Sequence, residues 1–335
     1  MLLRTPTLRL APPPPAVAWD DAPCPLCGAR ETAVACEAPD ANPRAGTDPL
    51  TFAVVQCREC AVLFTNPRPD AASIADFYPD DYRPHRRPRK LREAGRSSAP
   101  WSAWARWTGR RHPERDGSLP WVGRGRLLDF GCGGGSYLKR MADQGWAVTG
   151  LDSAVGAVRS VQAELGLHTL AGSLPHPALA PCSFDVVTMW QSIEHVHEPL
   201  AILREAFRVL APGGRLIVAC PNAASWPARA FGPDWFALDL PRHLTHFTPA
   251  TLTTVLTAAG FRVEGVRQVR HSDWLRSSAR LAARTPGAAL WKRALTAKPV
   301  AKFAAWLTYL LGASDCMMAV AERPELLSPE NLTTS

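Results

Sequence analysis

The stretch Leu127-Leu128-Asp129-Phe130 running into Gly131-Cys132-Gly133-Gly134-Gly135 constrains this chain more than any other. An apolar run of strand length ends in glycines. A segment with Tyr137, Leu138 and Met141 then follows at helical spacing. Glycine lets the backbone reverse sharply and lets a ligand approach where side chains would collide. Such turns also occur without a ligand, so the flanking residues must supply the chemistry.

The surroundings of the turn read as α/β. From Gly123 to Gln268 short apolar strands alternate with amphipathic helices, the pattern of a parallel sheet. Strands are expected at 126–130, 147–151, 169–171, 184–189, 215–219, 262–269 and 316–321. Pro199 opens one helix, with Leu200, Leu203, Phe207 and Leu210 as its stripe. Thr248-Pro249 caps another, with Leu252, Val255, Leu256 and Ala259 inward and Gly260 as the stop. Five segments follow: a disordered Pro-rich tail over 1–20, a cysteine-bracketed head over 21–82, and a basic Trp-rich linker over 83–122. The α/β core takes 123–269 and 314–323, with a helical insertion at 270–313.

Two carboxylates narrow the ligand. Asp129 stands before the glycines, where its charge repels a pyrophosphate but welcomes an ammonium or hydroxyl group. Ser136 replaces the last glycine of a dinucleotide fingerprint counted from Gly131, which disfavours a nicotinamide cofactor. Asp152 ends the second strand about twenty residues after the glycines, where a carboxylate can hold two ribose hydroxyls. With Phe184-Asp185-Val186-Val187 and Leu210-Ala211-Pro212-Gly213-Gly214, this order resembles the class I S-adenosylmethionine-dependent methyltransferases. The resemblance implies a Rossmann-like seven-stranded α/β sheet with helices on both faces. It places Asp129, Gly131, Cys132, Gly133 and Gly135 against the methionine part of the cofactor and Asp152 with Ser153 at the ribose. Ser173 and Leu174 would flank the adenine, and Trp190 completes the cofactor set.

Cys24-Pro25-Leu26-Cys27-Gly28 and Cys57-Arg58-Glu59-Cys60 are matched CxxC knuckles separated by 29 residues. Two intervening residues let both thiolates meet one ion, and four thiolates close a tetrahedral zinc site. A site with no open position is structural, and it compensates for the small core of a short unit. The tail of this unit, Leu63 to Pro69 and Phe77-Tyr78, resembles the zinc-ribbon heads of some bacterial methyltransferases, including deoxysugar C-methyltransferases. The other five cysteines read as core or loop residues.

Histidines supply the candidate bases, since imidazole titrates near neutral pH. His195 follows the fourth strand in Gln191-Ser192-Ile193-Glu194-His195, and His243 and His246 lie in the loop before Thr248. Glu194-His195 resembles a segment of the quinone-biosynthesis O-methyltransferases. There an acidic residue three positions earlier joins a metal site; here that position is Gln191, which disfavours an active-site metal and leaves its need open. His243 is the favoured base, then His246, with His195 in reserve.

Charge is uneven. Residues 83–126 hold thirteen Arg or Lys against three Asp or Glu, a balance of +10, and residues 262–323 hold eleven against four, or +7. Such patches suit nucleic acid, anionic lipid or a phosphorylated substrate, although a solvated face reads the same way. Phe303, Trp306, Leu307, Leu310 and Leu311 form an apolar stripe, and Trp101, Trp104 and Trp107 a second one. Each is either a cap packed on the core or a membrane-peripheral contact. No apolar run reaches 18 residues and the first twenty lack an apolar h-region, so a cytoplasmic protein is expected. The favoured reading is methyl transfer to a small-molecule or glycan-type acceptor. An RNA methyltransferase gripping RNA through its head and linker is the alternative, and a catalytically silent cofactor-binding protein is a third.

Overall fold

The computed structural model describes residues 17–40, 42–43, 50–78, 122–284, 287 and 289–325. Residues 1–16 of the expected tail, the expected linker up to residue 121 and its Trp101–Trp107 stripe fall outside the described residues, whereas the end of the expected disordered tail is ordered: Trp19–Asp20 is a strand paired with Arg68–Pro69.

The head comprises β1 (Trp19–Asp20), β2 (Thr32–Pro39), β3 (Thr51–Cys57), β4 (Leu63–Thr65), β5 (Arg68–Pro69) and a 3-10 turn at Ile74–Phe77. The core follows with β6 (Arg126–Phe130), α1 (Ser136–Asp143), β7 (Ala147–Asp152), α2 (Val155–Leu165), β8 (Thr169–Ala171) and β9 (Phe184–Trp190). It continues with α3 (Pro199–Val209), β10 (Leu210–Pro221), α4 (Trp226–Phe231), β11 (Thr245–His246), α5 (Pro249–Ala258) and β12 (Arg262–Val269). Three helices, α6 (Ser272–Ala282), α7 (Leu290–Ala294) and α8 (Lys298–Leu310), lead to β13 (Cys316–Glu322).

The main sheet runs β12-β13-β10-β9-β6-β7-β8. β13 is antiparallel to both neighbours, and the β10-β9-β6-β7-β8 pairs are parallel. This is the expected seven-stranded Rossmann-like α/β sheet. Side chains alternate across its strands: Leu128, Phe130, Val187 and Met189 pack toward α3 and α5, while Leu127, Val186 and Ile217 pack toward Leu138 and Met141 of α1. Burial on both faces explains why these strands read as continuous apolar runs.

Strand β10 is longer than its apolar run. It pairs Leu210 with Phe184, breaks register before Arg215, and extends to Pro221 opposite Cys316. Helix α3 buries Ile202, Leu203, Ala206 and Val209, a face rotated from the expected stripe, with Phe207 half-buried and Leu210 claimed by β10. Helix α5 keeps its expected stripe, and its Thr248 cap forms a full capping box with Thr251.

The head's sheet has the order β11-β4-β3-β2, so a strand from the core's second half completes it. The same seam is locked twice. Arg242, with no solvent exposure, holds Asp40 at 2.6 Å and Asp239 at 2.9 Å and donates to the Phe77 carbonyl at 2.8 Å. Arg68 from the head donates to the His197 carbonyl at 3.1 Å and pairs with Asp20 and Glu198.

Candidate active site

Strands β6 and β9 are neighbours although β7 and β8 intervene in sequence, so the strand order reverses between them. Ligands of open α/β sheets sit in the crevice beyond the carboxyl ends at such a point. Asp129 and Thr188 are register partners there, and the Thr188 hydroxyl donates to Asp129 Oδ1 at 2.7 Å. Asp129 is otherwise enclosed: burial pushes its carboxyl up to about 7, assisted by the charge of Asp152 and opposed by the Thr188 bond. A cation placed beside it would reverse that shift.

The glycine turn divides its work. Gly131, at φ +75, cannot carry a Cβ, which would lie 2.6 Å from Ser192 Cβ. Its glycine is therefore demanded by protein packing. Gly133 N–H donates to Asp152 Oδ2 and Ala154 N–H to Oδ1, both at 2.8 Å, so backbone amides aim the Asp152 carboxylate. Gly135 caps α1 at φ +71. Cys132 turns its thiol into the core toward Gly150. Ser153 and Ser173 are exposed, and Gly172 N–H bonds the Asp152 carbonyl at 2.9 Å, tying that loop to the end of β7. Leu174 is a core residue, so its side chain is spent on packing. Trp190 packs edge-on to Tyr137, with centroids 5.2 Å apart.

Ser192 is the common wall between this turn and a second cluster: its hydroxyl donates to the Phe130 carbonyl at 2.9 Å. Two residues on, a Glu194 carboxylate oxygen and one ring nitrogen each of His195 and His243 lie within 4.8 Å of one another. The His195 and His243 rings meet edge to face at 4.6 Å. Left-handed backbone at Gln191 (φ +52) and Asp239 (φ +35) bounds the cluster on both chain segments, the kind of strain that concentrates at functional sites.

The tautomers follow from the partners. His195 Nδ1 lies 3.0 Å from the Arg242 carbonyl and His243 Nδ1 lies 2.8 Å from the Ala237 carbonyl. Carbonyls only accept, so both rings carry hydrogen at Nδ1 and keep a lone pair at Nε2. Burial holds His195 near about 3 and His243 near about 4, so both are neutral at physiological pH. Glu194 shifts the other way: burial pushes its carboxyl up to about 8, and among the described residues neither oxygen has a hydrogen-bond partner. Burial also raises Asp239, but the Arg242 guanidinium outweighs it and holds that carboxyl below the ordinary range. The Glu194–His195–His243 set also has the spacing of metal ligands, with Gln191 rather than an acid three positions before Glu194.

His246 goes elsewhere. It lies in β11 opposite Leu63, and its Nε2 meets the Thr65 hydroxyl at 3.2 Å, which spends the ring on the seam with the head. Tyr78 was not among the expected site residues, yet its hydroxyl sits 3.0 Å from His195 Nδ1. Its sequence signal was only position, at the end of the head's ribbon-like tail. Arg242 and Asp239 had none beyond proximity to His243.

In the head, Cys24 Sγ lies 3.4 Å from Cys60 Sγ and Cys27 Sγ lies 3.6 Å from Cys57 Sγ, and all four fall within 4.8 Å of one another. A tetrahedron of Zn–S bonds places sulfurs about 3.8 Å apart. Gly28, at φ +76, makes the turn that the first knuckle requires.

A methyltransferase-domain family model matches residues 89–266, more than half of the chain. The chain belongs to this methyltransferase family. Among curated proteins, the methyltransferase is similar to the ubiquinone biosynthesis O-methyltransferase of Xanthomonas euvesicatoria, 34% identical over 172 residues that span 48% of this chain and 72% of that one. The enzyme of the same name from Xanthomonas oryzae pv. oryzae strain PXO99A is 35% identical over 176 residues, with the same two shares. Among solved structures, an S-adenosylmethionine-dependent methyltransferase from Mesorhizobium loti is 21% identical, covering 63% of this chain and 96% of that chain at a TM-score of 0.45. The protein is an S-adenosylmethionine-dependent methyltransferase with a four-cysteine cluster in its head. Among the described residues no helix is long and apolar enough to cross a membrane.

Proposed function

We propose that this methyltransferase methylates an oxygen, or an acidified carbon, of a small molecule or glycan-type precursor, with His243 and His195 as the acceptor-side bases. The observation behind this reading is the junction at Ser192, where the glycine turn and the two-histidine cluster share one wall. The O-methyltransferases that the chain resembles act, by name, in ubiquinone biosynthesis, a small-molecule setting.

The cofactor supplies an electrophilic methyl on a sulfonium. Asp129 offers a buried carboxylate for its ammonium and the amide-held Asp152 offers acceptors for its ribose diol, while the exposed Ser153 and Ser173 and the Trp190 ring are the further cofactor contacts in this reading. On the acceptor side, the Nε2 lone pairs take the proton that a hydroxyl or acidic carbon gives up. Nδ1–H bonds to the Arg242 and Ala237 carbonyls keep each ring in the receptive tautomer. Glu194, once ionised, stabilises the imidazolium so formed. Tyr78 steadies His195 from the head side. In the head, Cys24, Cys27, Cys57 and Cys60 hold a structural zinc ion, a reading supported by their sulfur spacing.

The test is a cell extract supplied with the enzyme and methyl-labelled cofactor. Label in a small or glycan-type product supports the reading, while label confined to RNA overturns it.

A further inference from the structure

Helix α8 packs with its small side chains and leaves its large ones outside. Ala301, Ala305 and Thr308, at i, i+4 and i+7, face the molecule. Phe303 is 62% exposed, Trp306 45% and Leu310 58%, so of the two readings left open for this stripe, cap or membrane contact, its large side chains fit the exposed one. Phe303 and Trp306 stack on each other at 6.1 Å, and Leu290 and Trp291 of α7 add further exposed apolar area. The chain through these helices carries charge of one sign: between Asp273 and Asp315 there are seven Arg or Lys and no acidic residue. Arg293, Lys298 and Lys302 are exposed.

We propose that α7 and α8 form a docking face for an anionic phospholipid bilayer, on which the enzyme lies peripherally. Charge decides among the occupants. A second copy would set the same basic face against itself, and the chain's own segment 83–126, at +10, is repelled in the same way. An occupant must be anionic and must accept Trp, Phe and Leu side chains. A bilayer surface with acidic headgroups does both: the apolar side chains enter the acyl boundary and the Lys and Arg heads meet phosphates. At 13 residues α8 is suited to lie in the interface plane and is too short to span. The face is also coupled to the candidate site. α8 packs on α6, and α6 packs on the turn Phe236–Leu238, whose Ala237 carbonyl accepts from His243. The docking proposal stands independently of which acceptor is methylated.

The experiment is flotation of the full chain with vesicles of phosphatidylcholine alone and of equal parts phosphatidylcholine and phosphatidylglycerol. Binding is expected to the anionic vesicles only and to weaken with added salt. The double variant Phe303→Ser/Trp306→Ser should bind about tenfold or more weakly, and Lys298→Glu/Lys302→Glu should lose the anionic preference. Val34→Ser, an exposed apolar residue on β2, should bind as the parent does. Equal binding to both vesicle types, undiminished binding by the first double variant, or no vesicle binding overturns the proposal. So does a concentration-dependent dimer in sedimentation that Phe303→Ser abolishes, since the face would then be covered by a second copy.

Discussion

At the scale of single residues, the site is governed by what burial does to charge. Asp129 holds its proton up to about pH 7, whereas the unfolded chain releases it near the ordinary carboxylate value. The folded state therefore binds more protons between those limits, and Asp129 costs the free enzyme stability as pH rises from about 4 to about 7. A bound ammonium offsets that cost only when Asp129 is ionised. Cofactor affinity measured by calorimetry should thus tighten as pH rises through about 7, and Asp129→Asn should bind weakly with a flat profile. Asp152→Ala should weaken binding by about 1.5–3 kcal/mol, the range for losing charged hydrogen bonds. A variant that binds as tightly as the parent would remove Asp152 from the cofactor site. The acceptor side behaves differently. His195 and His243 are neutral down to about pH 4, so neither should give a rate change near the usual imidazole value. Glu194, at about 8, is the group left to titrate, and the rate should rise as it ionises. Glu194→Gln should flatten that limb, and His243→Ala should lower kcat by about 10²–10⁴-fold while leaving cofactor affinity intact. Loss of cofactor binding in the histidine variant would show instead that the loop closes over the cofactor.

At the scale of elements, legibility followed the range of the interaction. The β6–turn–α1 unit and the CxxC knuckles were readable because their demands are local: a left-handed turn, a fixed ligand spacing. Thr248 capped α5 as expected for the same reason. Periodicity reports that a helix is two-faced but not which face meets the protein. Small side chains allow the closer approach, so Ala301 and Ala305 took the contact in α8 and Trp306 was left outside. The contacts that build the histidine cluster were not legible at all. Arg242 meets Asp40 across 202 residues and Tyr78 meets His195 across 117, and no local pattern encodes such pairs. Yet Arg242 fixes the loop 239–247. Replacing it with methionine leaves the Asp40 and Asp239 carboxylates buried without their cation, which should cost about 3–5 kcal/mol in denaturant unfolding. A loss under 1 kcal/mol would mean that water enters the seam and solvates both acids.

At the scale of the whole molecule, the head is part of the candidate site's frame rather than an appendage. Its sheet is completed by β11, its Thr65 hydroxyl donates to the His243 carbonyl at 2.8 Å, and its Tyr78 touches His195. The four-cysteine cluster sits at the turn of the β3–β4 hairpin, packed on Val55, Val62 and Phe64, and Phe64 pairs with Thr245 in the next strand. A metal held there would therefore act on turnover through the sheet, with no contact to the reacting groups. The freshly purified, reduced protein should contain about one zinc per chain. In Cys57→Ser the zinc should be lost, the head should lose protection from hydrogen exchange, and β4 and β11 should loosen with it. The glycine turn between β6 and α1 draws on neither strand, so cofactor affinity should fall far less than kcat. Equal loss of both would mean that the whole core depends on the head for folding. A second metal equivalent that survives Cys57→Ser and disappears in Glu194→Gln would instead place an ion among Glu194, His195 and His243. The neutral histidines would then be ligands, and the rise in rate near pH 8 should vanish with the free carboxyl.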